Sequence, residues 1–154
     1  MKRPLHTLTM AMLLCLGLVP PAHTKTLVKT VLGWGLIGSW SRDCSLPPDR
    51  EKGAVLSYEI RQDGRVMYRR DFGDTADENE VVGASTTSEG VLNLLVFFPS
   101  FHQTREFGLV KQPDGSMRAI YNHNKNGEYS IKNGKFVSSG QPAPIQHRCS
   151  GAST

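Results

Sequence analysis

Beyond residue 25 the chain runs in short stretches of alternating apolar and polar side chains, each followed by a turn ending in glycine. A period of two marks a strand with one buried face. The turns are Gln62-Asp63-Gly64, Ser88-Glu89-Gly90, Pro113-Asp114-Gly115 and Lys125-Asn126-Gly127, with Asn133-Gly134 as a two-residue turn. A three-residue hairpin loop needs a left-handed third residue, a conformation glycine takes without strain. Each turn also fixes a register, testable by whether apolar residues meet on one side. The first loop sets Ile60 against Val66 and Tyr58 against Tyr68. The others pair Ala84 with Leu94, Val82 with Val96, Leu109 with Ala119 and Phe107 with Tyr121. Further along, Tyr121 meets Ile131, His123 meets Tyr129 and Ile131 meets Phe136.

These registers predict strands at 36–42, 54–61, 65–72, 80–87, 91–98, 103–112, 116–124, 128–132 and 135–138. No amphipathic helix is evident after residue 24. "VLNLLVFF", Val91 to Phe98, is apolar on both faces except at Asn93, so cover is expected on both sides. The fold class is all-β: an antiparallel up-and-down meander of eight to nine strands. Closure into a small barrel would remove the edges an open sheet exposes.

The first 24 residues have a different pattern. Lys2 and Arg3 precede an apolar run from Leu8 to Val19, and Pro20 and Pro21 end it ahead of small residues. This is the layout of a signal peptide, too short to span a hydrocarbon core that needs ~20 apolar residues. The domains are therefore a signal peptide at 1–24 and a single β-barrel domain at 25–154. The location is periplasmic or secreted. "LLC" at Leu13 to Cys15 resembles a lipobox, but Leu14 stands where a small residue belongs.

Removing the signal leaves Cys44 and Cys149, and two cysteines in an oxidising compartment most simply pair. Cys44 follows the first predicted strand and Cys149 the last, so the bond would clamp the ends that meet at closure. Trp40 is placed to plug one end of the barrel, with Thr26 to Gly35 lying across that opening.

Gly38-Ser39-Trp40 on a first strand resembles the Gly-x-Trp that opens the lipocalin/calycin families. That resemblance implies a barrel around a small apolar ligand. For the family's late arginine packed over the tryptophan, Arg148 is the one counterpart, and alternation gives it the face opposite Cys149. The chain is also similar to periplasmic metalloprotease-inhibitor barrels. That likeness implies action through the mature N-terminus, with Lys25 to Thr30 as the inserted segment.

Charge and chemistry narrow the function mainly by exclusion. Lys2 and Arg3 account for two of the four net positive charges, which leaves +2 on the remainder. No long basic run interleaved with aromatics follows, so a nucleic-acid partner is not expected. His102, His123 and His147 match no metal-ligand spacing, and "NHNKNG" (Asn122 to Gly127) has neutral amides where a calcium loop has carboxylates. The acidic connection Asp71 to Glu80 reads as a solvated loop. No G-x-S-x-G, phosphate-cradling loop or dinucleotide fingerprint occurs. The expectation is a non-enzyme without cofactor or metal, monomeric and with no membrane span.

The remaining clue is aromatic. The registers put Trp40, Tyr58, Tyr68, Phe97, Phe107, Tyr121 and Tyr129 largely on one face. The ligand-binding candidates are Trp40, Tyr58, Tyr68, Phe107 and Tyr121. The predicted function is an exported binding module holding a small apolar ligand or presenting loops to a protein partner. The alternatives are an inhibitor-like interaction protein and a structural envelope protein.

Overall fold

A computed structural model describes residues 22–150. Residues 1–21, the bulk of the expected signal peptide, lie outside the described residues, as do 151–154.

The chain begins with a helix, α1 (Ala22–Trp34), where none is predicted. Its basis is a stripe: Leu27, Val31 and Trp34 recur at the i, i+4, i+7 spacing that puts them on one face, and all three are buried. The helix ends in a Schellman turn, with Gly35 N donating to Leu32 O and Leu36 N to Val31 O.

Ten strands follow: β1 (Gly38–Ser41), β2 (Val55–Ile60), β3 (Val66–Asp71), β4 (Ala76–Thr86), β5 (Leu92–Phe98), β6 (Gln103–Lys111), β7 (Met117–Asn124), β8 (Tyr129–Lys132), β9 (Lys135–Phe136) and β10 (His147–Cys149). They form one antiparallel sheet in the order β10-β1-β2-β3-β4-β5-β6-β7-β8-β9. All nine predicted strands are present. The tenth, too short for a periodicity signal, pairs Ser39 with Cys149 and Trp40 with Arg148.

The expected closed barrel is not formed. β9 and β10 are the two edges of the sheet, and they are not paired with each other. The connection between them, "GQPAPIQ" (Gly140 to Gln146), carries Pro142 and Pro144, which have no N–H to give a ladder. One isolated bridge, Met117 to Gln146, ties that connection to the start of β7.

The turn chemistry holds. At the first hairpin, Arg61 N donates to Arg65 O across the predicted three-residue loop, and Gly64 has φ +83°. Asn133 and Gly134 are both left-handed, as a type I′ turn requires. The registers hold at Tyr58–Tyr68, Ile60–Val66, Ala84–Leu94, Leu109–Ala119, His123–Tyr129 and Ile131–Phe136.

Three pairs differ, and the cause each time is a β-bulge. Val96 pairs with Val81, not Val82, because the ladder shifts between Val81 and Gly83. Phe107 pairs with Asn122, not Tyr121, because the β6–β7 ladder skips Ile120. Ile131 meets Asn122, not Tyr121, because the β7–β8 ladder skips Ser130. An extra residue moves everything on one side of it to the other face.

The core is continuous from α1 through the inner face of the sheet. The helix closes one end. Trp34 Nε1 donates to Gly90 O in the β4–β5 turn, Lys111 lies 5.0 Å over the Trp34 ring, and Gly64 of the β2–β3 turn abuts Thr24. Trp40, 1% exposed, donates its Nε1 to Leu36 O at this same closed end. The segment Thr26 to Gly35 thus lies where the sequence placed it, but as a helix. Cys44 and Cys149 are bonded, with Cα atoms 5.3 Å apart. Among the described residues no helix is long and apolar enough to cross a membrane.

Candidate functional site

The sheet curls around a cavity of about 1230 Å³ lined by residues from β2, β3, β5, β6, β7, β8, β9 and β10 and by the 141–146 connection. That exceeds the ~300–1,000 Å³ usual for small-molecule sites. Its wall begins with Tyr58 and Tyr68, directly opposite each other on β2 and β3, with rings stacked 4.7 Å apart and 10° from parallel. Phe107 meets Tyr68 edge-on at 6.1 Å and stacks on Phe98, also at 6.1 Å. Leu56, Leu109, Met117 and Ala119 extend the apolar lining.

Burial pushes the Tyr58 phenol well above its ordinary pKa, with Tyr68 beside it adding to the shift. Burial likewise takes Tyr68 to about 12. Both are therefore neutral hydroxyls at physiological pH, able to donate or accept a hydrogen bond within an apolar wall.

The polar side of the cavity is rich in arginine. Arg42, Arg50, Arg70, Arg105 and Arg118 line it, against Glu51 as the sole acidic lining residue among the described residues. Two of the five carry counter-ions. Arg50 pairs with Asp74, and Arg70 is held by Asp77 directly across β3–β4. Burial pulls the Arg70 pKa down, but the hydrogen bond to Asp77 together with the Tyr68, Asp77 and Tyr58 charge interactions makes the net shift upward. The Arg70 guanidinium also lies 4.9 Å over the Phe98 ring.

Arg105 is held differently. Its Nε donates to Asn122 Oδ1 at 2.6 Å, Nη1 to Gln103 Oε1 at 3.2 Å, and Nη2 to Ser130 Oγ at 3.2 Å and Glu128 O at 3.3 Å. Every acceptor is neutral. Burial lowers its pKa, against the pull of the Glu128 charge.

Three of the five predicted ligand residues, Tyr58, Tyr68 and Phe107, meet on this wall. Trp40 belongs to the closed end and does not line the cavity. Tyr121 does not line it either. It is across from Gly108 on the outer face, donating its hydroxyl to Asn93 Oδ1 at 2.6 Å and Glu106 Oε1 at 3.2 Å. Phe97 and Tyr129 share that outer face, so the predicted single aromatic face is corrected to two. Phe98, not Phe97, points inward, buried at 2% exposure.

Sequence reasoning missed Arg70, Arg105 and Asn122. Alternation alone could have found the arginines: Arg70 is two residues after Tyr68 and Arg105 two before Phe107, so each shares its neighbour's face.

Among the described residues no group of three or more His, Cys, Asp or Glu side chains is gathered as a metal site. His102 follows the 3-10 turn, His123 stacks on Tyr121 outside, and His147 lies in β10.

No protein-family model, curated protein or solved structure matches this chain.

Proposed function

We propose that this protein is an exported, lipocalin-like binding module that holds a small, largely apolar ligand in the cavity of its curled sheet. The observation that carries the reading is a space of about 1230 Å³ with an aromatic wall of Tyr58, Tyr68, Phe98 and Phe107. Small-molecule sites are concave, with an apolar wall and polar groups that fix orientation; here the ring wall faces a side that carries five arginines. The Arg148 guanidinium over the Trp40 ring supports the lipocalin likeness, since the family's late arginine occupies that relation. The disulfide fits an oxidising compartment. An inhibitor-like arm would need Lys25 to Thr30 free of the fold, and the burial of Leu27 and Val31 weighs against it.

The test is fluorescence titration with N-phenyl-1-naphthylamine, an uncharged apolar probe. One saturable site per chain is expected. Ala119→Phe, which fills the cavity from β7, should abolish binding while the circular dichroism of the sheet persists. Binding that survives Ala119→Phe unchanged, or no saturable binding at all, contradicts the proposal.

A further inference from the structure

The inference concerns what the ligand carries, and so rests on the cavity being a ligand site. We propose that the ligand is an amphipathic monoanion, its charged head set against Arg105 and its apolar body against the Tyr58, Tyr68, Phe98 and Phe107 rings.

Among the described residues Arg105 forms no ion pair, whereas Arg70 on the same wall is neutralised by Asp77. A half-buried cation held by neutral acceptors alone still keeps an uncompensated charge, which an opposite charge would offset. Glu128 does not complete the pair. Its main-chain carbonyl meets Arg105, while its carboxylate accepts from Asn124 Nδ2 at 2.6 Å.

Four neutral acceptors hold the guanidinium from three sides, and Ser130 Oγ donates in turn to Asn122 Oδ1 at 2.7 Å. A guanidinium has five N–H donors. Four are used in the bonds to Asn122, Gln103, Ser130 and Glu128, which leaves one on Nη1. The fixed charge and its single free donor match one anionic oxygen.

Arg105 is two residues from Phe107 on the same face, and Phe107 touches both Tyr68 and Phe98. A head on Arg105 therefore directs an attached apolar body onto the rings. Recognition of this kind selects by charge at one point and by shape elsewhere.

Two probes share one skeleton and differ by one charged group: 1-anilinonaphthalene-8-sulfonate and the uncharged N-phenyl-1-naphthylamine. The full chain should bind the sulfonate at least about tenfold more tightly, the scale of one charge-assisted hydrogen bond. The two probes should also compete. In Arg105→Gln the preference for the sulfonate over the neutral probe should vanish. Equal affinities in the wild type, or a preference that survives Arg105→Gln, overturns the inference and leaves the cavity reading standing. Failure of both probes to bind the wild type overturns both. Should Arg105→Gln not fold, the wild-type Arg105 Nη1–H NMR signal decides. It should move with the sulfonate and not with the neutral probe, and a signal unmoved by the bound sulfonate overturns the inference.

Discussion

Arg148 lies over Trp40, its guanidinium carbon 5.7 Å from the ring centroid, and the two residues are direct cross-strand partners on β10 and β1. The same guanidinium donates to Gly35 O and Ile37 O, so one side chain joins the end of α1, the approach to β1 and the last strand. An exposed cation–π contact contributes ~0.5–1 kcal/mol, and hydrogen bonds from a charged donor add to it. Arg148→Ala is expected to lower unfolding free energy by about 1–2 kcal/mol in urea titrations. Arg148→Lys should recover only part of this, because a point charge cannot fork to two carbonyls.

The Cys44–Cys149 bond spans 105 residues. β10 is three residues long and pairs only with β1, so few backbone bonds hold the C-terminus in place. Chain-entropy arguments put a cross-link of this span at ~4–5 kcal/mol. Cys44→Ser with Cys149→Ser should cost stability of that order, read from the urea midpoint. Amide exchange should accelerate first at 147–149 and in β1.

Gly108 and Tyr121 are matched by shape. A Cβ on Gly108 would stand 2.2 Å from Tyr121 Cε1, because the ring lies flat across the glycine. Gly108→Ala must displace the ring and its hydrogen bonds to Asn93 and Glu106, at an overpacking cost of about 1–3 kcal/mol. Burial, with help from Glu106, raises the Tyr121 pKa to about 12. In the variant its ionisation, followed by absorbance, should fall towards the ordinary value near ~10.

Acid and alkali should act through different groups. Burial pushes the Asp77 carboxyl up, but Arg70 outweighs it and holds the pKa below the ordinary value. A depressed folded pKa gives stability that is present above the unfolded value, ~3.9, and lost as pH falls through the folded one. Asp77→Asn should therefore flatten the loss of stability below about pH 4. Tyr58 and Tyr68 have raised pKa values. Their contribution is intact below the unfolded value of ~10 and is lost as pH rises towards the folded values. Thermal melts across both windows check each sign.

The hairpins were legible because turn chemistry is local: glycine at the third loop position fixes the register of the strands on either side. The bulges at Val82, Ile120 and Ser130 were not, because one extra residue leaves the alternation on each flank intact while changing which face it serves. Tyr121 was assigned to the cavity for that reason alone. The helix is not evident in the sequence although Leu27, Val31 and Trp34 carry its period, because three apolar positions in a short segment read equally well as a lead-in lying across the barrel opening. Closure of the barrel depended on what 137–146 would do, and proline placement, not periodicity, decides that. Arg105 lay in plain sight on the Phe107 face. Its significance comes from acceptors on β7 and β8 that only the fold brings to it.

The central claim is that a ligand enters the space between the tyrosine pair and Phe107. It is tested most directly by NMR of the full chain during titration with N-phenyl-1-naphthylamine. The expected result is that methyl signals of Leu56, Leu109, Met117 and Ala119 shift to saturation together, while Val82 and Leu95 on the outer face stay still. Shifts confined to Val82 and Leu95, with the inner methyls unmoved, would contradict it.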